Sequence, residues 1–160
     1  MNKYTFFYNG PFSQWYKSNM IIDGIKYETA EKFLMAQKAL LFEDFEIYPK
    51  IMATTNPAEQ KALGREIKNF DKDVWEANCR DIVMRGNIAK FMQNPKIRES
   101  LLATEGTELV EASPTDKIWG IGLAEDDPKA QIKEEWQGTN WLGIILTEVR
   151  TKLINNAHLY

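Results

Sequence analysis

The chain has 160 residues, 44% hydrophobic and 27% charged, which fits one ordinary globular domain over residues 1–160 and not a disordered or membrane protein; a chain of this size buries roughly 70% of its unfolded surface. Twenty Lys and Arg against 23 Asp and Glu give a formal net charge of -3, so nucleic acid held by a basic tract is disfavoured, while one or two placed cations would still serve a small phosphorylated ligand. Cys79 is the single cysteine, which excludes an internal disulfide and a cysteine-based structural zinc site; residues 1–10 lack signal-peptide features and no apolar run is long enough for a bilayer, so a cytoplasmic protein is expected.

In chain order, Tyr4-Thr5-Phe6-Phe7-Tyr8 is aromatic and β-prone, and Met20-Ile21-Ile22 and Ile25-Lys26-Tyr27 flank Asp23-Gly24, a type I′ hairpin dipeptide. These pieces predict a small antiparallel sheet. Thr29 is placed to cap a helix to about Phe42, with Ala30, Phe33, Leu34, Ala36 and Leu40 at helical spacing and Glu31, Met35 and Lys38 on a neighbouring stripe. A shorter helix follows Asp44, with Pro49 expected to limit it to a local turn before Ile51.

Asn56-Pro57-Ala58-Glu59 is a helix start, ending at Gly64 or Phe70. Asp71 or Asp73 opens a longer helix through Trp75, Cys79, Ile82, Val83 and Ile88, and Asn94-Pro95 opens another through Ile97, Leu101 and Leu102. Glu108-Leu109-Val110-Glu111-Ala112 reads as a strand, and the segment from Ile118 to Leu123 as strand, turn and strand. Residues 126–138 read as a loop. Leu142, Ile145, Leu146, Val149 and Leu153 form an amphipathic final helix begun by Thr139 or Asn140. The class is α+β, predominantly helical.

Several residues stand apart from a plain helical core. Glu31 is either a solvated first-turn carboxylate favoured by the helix dipole or a functional acid, and Lys38, two turns on, either points into the same cleft or solubilises that face. Asp116-Lys117-Ile118-Trp119-Gly120-Ile121-Gly122 combines an acid, an indole on which a base could stack and two glycines that permit close approach; a buried Trp beside a structural turn fits equally. In Trp136-Gln137-Gly138-Thr139-Asn140-Trp141 a helix start offers backbone donors to an anion, or Asn140 is a plain cap. His158, the lone histidine, cannot build a triad or metal cluster, and Cys79 lies at core spacing with Trp75 and Val83.

Phe12-Ser13-Gln14-Trp15-Tyr16, Thr29-Ala30-Glu31, Ala36-Gln37-Lys38-Ala39, Leu63-Gly64-Arg65, Phe70-Asp71, Gln93-Asn94-Pro95, Leu109-Val110-Glu111-Ala112-Ser113-Pro114, Ile118-Trp119-Gly120-Ile121-Gly122-Leu123 and Gly138 with Asn140 and Leu142-Gly143 closely resemble the YbiA/NADAR family, in the same order along nearly the whole chain. The resemblance implies a mostly helical α+β domain and an N-glycosidase site without a cofactor. Some members are linked to ribosylamino-pyrimidine intermediates of riboflavin synthesis, others to removal of ADP-ribose from guanine. It implies Glu31 as the central carboxylate, Asp116, Trp119 and Gly120 lining the cleft, Asn140 closing it, and Lys38, Arg65 and Trp15 as further substrate-binding residues. The partner is then a small ribosyl-base or ADP-ribose-type molecule, or ADP-ribosylated guanine within a nucleic acid, with Arg85 a further cation for a ribose phosphate. Lys17, Asn19-Met20 and Lys32-Phe33 depart from the usual pattern, so the substrate-facing rim is expected to differ. A non-catalytic NAD/ADP-ribose-binding module is the alternative from another class, and a helical interaction domain the third.

Overall fold

The computed structural model describes residues 3–157. In chain order these form β1 (Tyr4–Phe7), β2 (Met20–Ile22), β3 (Ile25–Tyr27), α1 (Ala30–Leu41), α2 (Ile47–Ala53) and α3 (Pro57–Arg65), then α4 (Lys72–Gln93), α5 (Pro95–Leu102), β4 (Glu108–Glu111) and α6 (Trp141–Asn155). The class is the α+β arrangement that the sequence implied. The chain divides into two compact units, one from Gln14 to Asn94 and one made of the segments up to Ser13 and from Pro95 onward.

In the Gln14–Asn94 unit, local side-chain chemistry starts each of the three main helices. Thr29, extended at φ -142°, accepts from the Lys32 amide and begins α1. Asn56 accepts from the Ala58 amide with Pro57 at the first helical position, and Asp71 accepts from the Asp73 and Val74 amides to begin α4; each cap satisfies donors that an open helix end would leave unpaired. The expectation for α2 is corrected: the helix runs on to Ala53, because Pro49 occupies its first turn, where a proline removes no hydrogen bond. Asp44 replaces the missing cap, accepting from the amides of Glu46, Ile47 and Lys68. The Lys68 amide, foremost among these donors, holds the Asp44 carboxyl below its ordinary value.

Helix α1 is the hub of this unit, and two glycines let its neighbours approach. A Cβ on Gly64 of α3 would lie 2.1 Å from the Met35 sulfur, and one on Gly86 of α4 would lie 2.8 Å from the Phe33 ring. Phe33 also meets the buried Tyr27 ring edge-on at 5.1 Å. Tyr27 belongs to the β2–β3 hairpin, antiparallel in the register Met20↔Tyr27, whose turn has positive φ at both Asp23 and Gly24 as the dipeptide predicts. Gln93 completes the hairpin edge by bonding both the amide and the carbonyl of Ile21.

In the other unit β1 pairs with β4, in parallel, from Tyr4↔Glu108 to Phe7↔Glu111. This corrects the expectation that Tyr4-Thr5-Phe6-Phe7 joins the hairpin strands in one antiparallel sheet. Tyr4, Val110, Ile121, Leu123 and Ala130 form the apolar cluster, with Phe6 and Trp136 packed against it. Helix α6 lies against β4 closely enough that a Cβ on Gly143 would fall 2.1 Å from the Leu109 carbonyl oxygen. The buried Arg150 donates to the Thr104 and Thr107 carbonyls, closing the turn between α5 and β4.

The segment from Ile118 to Leu123 is not a strand pair, a third correction. Its amides form no ladder: those of Ile118 and Trp119 share Asp116 Oδ1, that of Ile121 goes to the Glu111 carbonyl and that of Gly122 to the Asp116 carbonyl. Gly122 has φ +70°, and Gly120 sits where a Cβ would meet two carbonyl oxygens at 2.9 and 3.0 Å. Residues 126–138 contain two short 3-10 turns, Pro128–Gln131 and Lys133–Glu135. His158 lies outside the described residues.

Lys90 of α4 is fully buried, and burial pushes its ammonium down to about 7 from an ordinary 10.5. Between those values the unfolded chain holds a proton that the folded chain does not, so this residue's contribution penalises folding fully below about pH 7 and is relieved as pH rises toward 10.5. The melting temperature of Lys90→Met minus that of the unaltered protein is therefore expected to fall steadily between about pH 7 and pH 10 in a calorimetric series, and a difference that does not change with pH would remove the buried ammonium as its cause.

Candidate active site

Glu31 enters the buried interior through the first turn of α1, where only 6% of its surface stays exposed. Its backbone amide donates to the Gln14 carbonyl at 3.0 Å. The Gln14 side chain is in turn locked to Asn87 of α4 by a reciprocal pair of amide hydrogen bonds, both 3.0 Å, and Asn87 also donates to the Val83 carbonyl. The start of α1 is thereby tied to the middle of α4 through a neutral pin. Neither Gln14 nor Asn87 stood out in the sequence, although Gln14 sits in the first block of the resemblance.

Lys38 lies in the last turn of the same helix, where a cation also complements the carbonyl end of the dipole. Its ammonium donates to the Gly64 carbonyl at 2.9 Å and lies over the rings of Phe70 at 4.8 Å and Trp75 at 5.4 Å. Burial lowers the Lys38 pKa, the Glu31 carboxylate pulls it back up, and the charge of Arg65 lowers it further. Glu31, Lys38 and Arg65 thus form one electrostatic group, with Arg65 on its exposed side.

Lys32, read in the sequence only as a departure from the family pattern, is buried and pairs with Glu28 at 2.9 Å. Burial pushes the Glu28 carboxyl up, but the hydrogen bond from Lys32, its own backbone and the charges of Lys32 and Lys26 outweigh that and leave it below its ordinary value. Arg85 is exposed, with Nε 3.2 Å from Asp81 and its guanidinium 5.7 Å from the Phe33 ring centre. Trp15, next to Gln14, is 46% exposed. Cys79 is fully buried, and burial raises its thiol pKa, as a small core residue requires.

Asp116, Trp119, Gly120 and Asn140 are brought together in the other unit. Asp116 Oδ1 accepts from the Ile118 amide at 2.9 Å and the Trp119 amide at 2.8 Å, turning the chain so that the half-buried Trp119 meets Trp141 edge-on at 5.6 Å. Five backbone bonds then lace residues 117–121 to 137–142, including Asn140 to Gly120, Trp141 to Ile118 and Leu142 to Trp119. The amides at the start of α6 that the sequence offered to an anion are therefore held by protein carbonyls. Asn140, at φ +52° and 1% exposed, makes no cap with its side chain. Instead its amide accepts from the Glu111 nitrogen and donates to the Leu109 carbonyl, both at 3.0 Å.

Among the described residues no group of three or more His, Cys, Asp or Glu is placed to hold a metal ion. No helix there is long and apolar enough to cross a membrane.

The fold and these side chains define an α+β domain whose α1 carries a buried acid and a half-buried cation, and comparison with known proteins places it: the NADAR domain model matches residues 5–154, and the chain belongs to that family. An N-glycosidase of Acanthamoeba polyphaga mimivirus is 40% identical over 162 aligned residues, covering 93% of this chain and 95% of that protein. A riboflavin biosynthesis protein of Vibrio vulnificus is 31% identical over 93% of this chain but only 37% of its own length. The NMR structure of the E. coli protein YbiA superposes with a TM-score of 0.81 at 27% identity, over 100% of this chain and 90% of that one.

Asn87→Ala removes both bonds to Gln14 and the bond to Val83 from a fully buried position. The expected loss is about 2 kcal/mol in urea unfolding.

Proposed function

We infer that this chain is an N-glycosidase, a hydrolase that cleaves a ribosyl C–N bond in a phosphorylated ribosyl-base compound. The observation that carries the reading is Glu31: a carboxylate buried on a rigid helix, fixed through its own amide by Gln14 and coupled in charge to Lys38. The names of the relatives, N-glycosidase in one case and riboflavin biosynthesis protein in another, support it.

Breaking a ribosyl C–N bond builds positive charge at the anomeric carbon, and a fixed carboxylate in a poorly solvated place stabilises that charge without having to reorganise. Glu31 is assigned to that carbon, or to the water that attacks it. The water oxygen bonds to the anomeric carbon as the C–N electron pair leaves with the base, and the water proton passes through the carboxylate to the departing nitrogen. In the other unit, Asp116 Oδ1 accepts from the Trp119 amide and holds that indole in position. Arg65 is the exposed cation assigned to the phosphate.

The substrate classes are a riboflavin-pathway ribosylamino-pyrimidine and ADP-ribosylated guanine. Glu31→Gln keeps the volume of the side chain and removes its charge, so it is expected to abolish release of base from both compounds, at least a hundredfold on the scale of about 10² to 10⁴ for a positioned acid or base, while ligand still raises the melting temperature. Chromatography of the products separates this from a binding module, for which the unaltered protein would show stabilisation and no released base. Turnover unchanged by Glu31→Gln would remove the residue from the mechanism.

A further inference from the structure

Phe70 is an aromatic that core packing does not explain. It is 47% exposed, yet its ring is held in place, edge-on to Phe42 at 5.3 Å with the Lys38 ammonium 4.8 Å from its centre. Trp75, one turn into α4, presents its ring to the same ammonium at 5.4 Å, and the Gly64 carbonyl accepts a hydrogen bond from it at 2.9 Å. The three groups come from different parts of the unit: the last turn of α3, the residue before the α4 cap, and α4 itself. They converge only because Gly64 lacks the side chain that would strike Met35, and because Asn69, with φ +61°, turns the chain back just before Phe70.

An ammonium has three protons and no acceptor, and aromatic faces attract it through their quadrupoles most strongly where water is scarce. With one proton on Gly64 and two rings over it, Lys38 has little capacity left to track a mobile substrate phosphate. Glu31 stands two helical turns before Lys38 on the same side of α1, and its charge is the one that draws the Lys38 pKa back up. We propose that Phe70 and Trp75 are positioning residues, which with the Gly64 carbonyl fix the Lys38 ammonium as a stationary counter-charge to Glu31 rather than as a clamp on the substrate. The proposal rests on the glycosidase reading of Glu31. It assigns Lys38 to the charge balance of the reacting centre, so loosening its aromatic cage must weaken stabilisation that exists in the transition state and leave ground-state binding nearly intact.

The test uses the full chain and whichever compound, ribosylamino-pyrimidine or ADP-ribosylated guanine, the unaltered protein turns over. Phe70→Leu and Trp75→Leu are each expected to lower kcat about tenfold with KM within about twofold, and the double variant further, in line with loss of an interaction made in the transition state. Phe70→Tyr and Trp75→Phe, which keep a ring face, are expected to recover most of kcat. Melting temperatures and active-site titration normalise every rate to folded protein. A rise in KM at unchanged kcat would overturn the proposal by showing Lys38 to hold substrate. Leu variants as active as the original, or losses that follow the folded fraction and are not recovered by the aromatic replacements, would overturn it as well while leaving the glycosidase reading intact. Absence of turnover by the unaltered protein on both compounds would strike the glycosidase reading itself, and the proposal with it.

Discussion

Helix α1 carries a buried acid near one end and a caged cation at the other, and that is possible only because two neighbouring helices have no side chain where they meet it. Gly64 and Gly86 let α3 and α4 approach until Met35 and Phe33 fill the space a Cβ would take. Close approach raises packing density around the helix, leaving Glu31 and Lys32 buried and Lys38 half-buried. A dry charge is costly unless something answers it. The fold supplies the answers locally: Glu28 for Lys32, and two rings, a carbonyl and the Glu31 charge for Lys38.

The unit built on β1, β4 and α6 solves a different problem, that of anchoring an irregular loop whose end, Gly120 and Ile121, is buried. Residues 117–121 contain few internal backbone bonds, and a buried loop whose amides and carbonyls lacked partners would be untenable. Its partners are the residues 137–142 alongside it and the Asp116 carboxylate. Gly120 and Gly138 bring the two segments into contact, since a Cβ on Gly138 would lie 2.3 Å from the Gly120 oxygen. Asn140 then joins this assembly to both Leu109 and Glu111 of β4. Trp119 is held by backbone geometry from both sides, which is how a loop comes to offer a ring face with the rigidity of a helix.

Features whose physics is confined to three or four residues were legible in the sequence. Thr29, Asn56 and Asp71 cap amides within three positions of themselves, and Asp23-Gly24 needs nothing beyond its own φ angles to make a turn. What depends on distant partners was not. The parallel pairing of Phe6 with Val110 leaves no local mark. The alternation of apolar residues and glycines from Ile118 onward looks like strand because pattern cannot report that its amides turn to a side chain and to scattered carbonyls and not to a neighbouring strand. Asn140 looked like a cap because its real partners lie a long way back in the chain. Glu31 and Lys38 could be named as a pair from helical spacing, yet the rings that hold Lys38 come after the intervening helices. The resemblance named the family and the fold class, and the family model and the YbiA structure agree with both.

The hydrogen-bonded ring joining Gln14 to Asn87 contains no ionisable group. Counter-ions have nothing in it to screen, and its strength does not change with protonation. The anchor that sets where Glu31 begins its helix is thus indifferent to ionic strength, whereas the exposed ion pair of Arg85 with Asp81 on the same long helix is not. Added electrolyte can loosen charges at the rim of this unit and leave the backbone of its central carboxylate where it was.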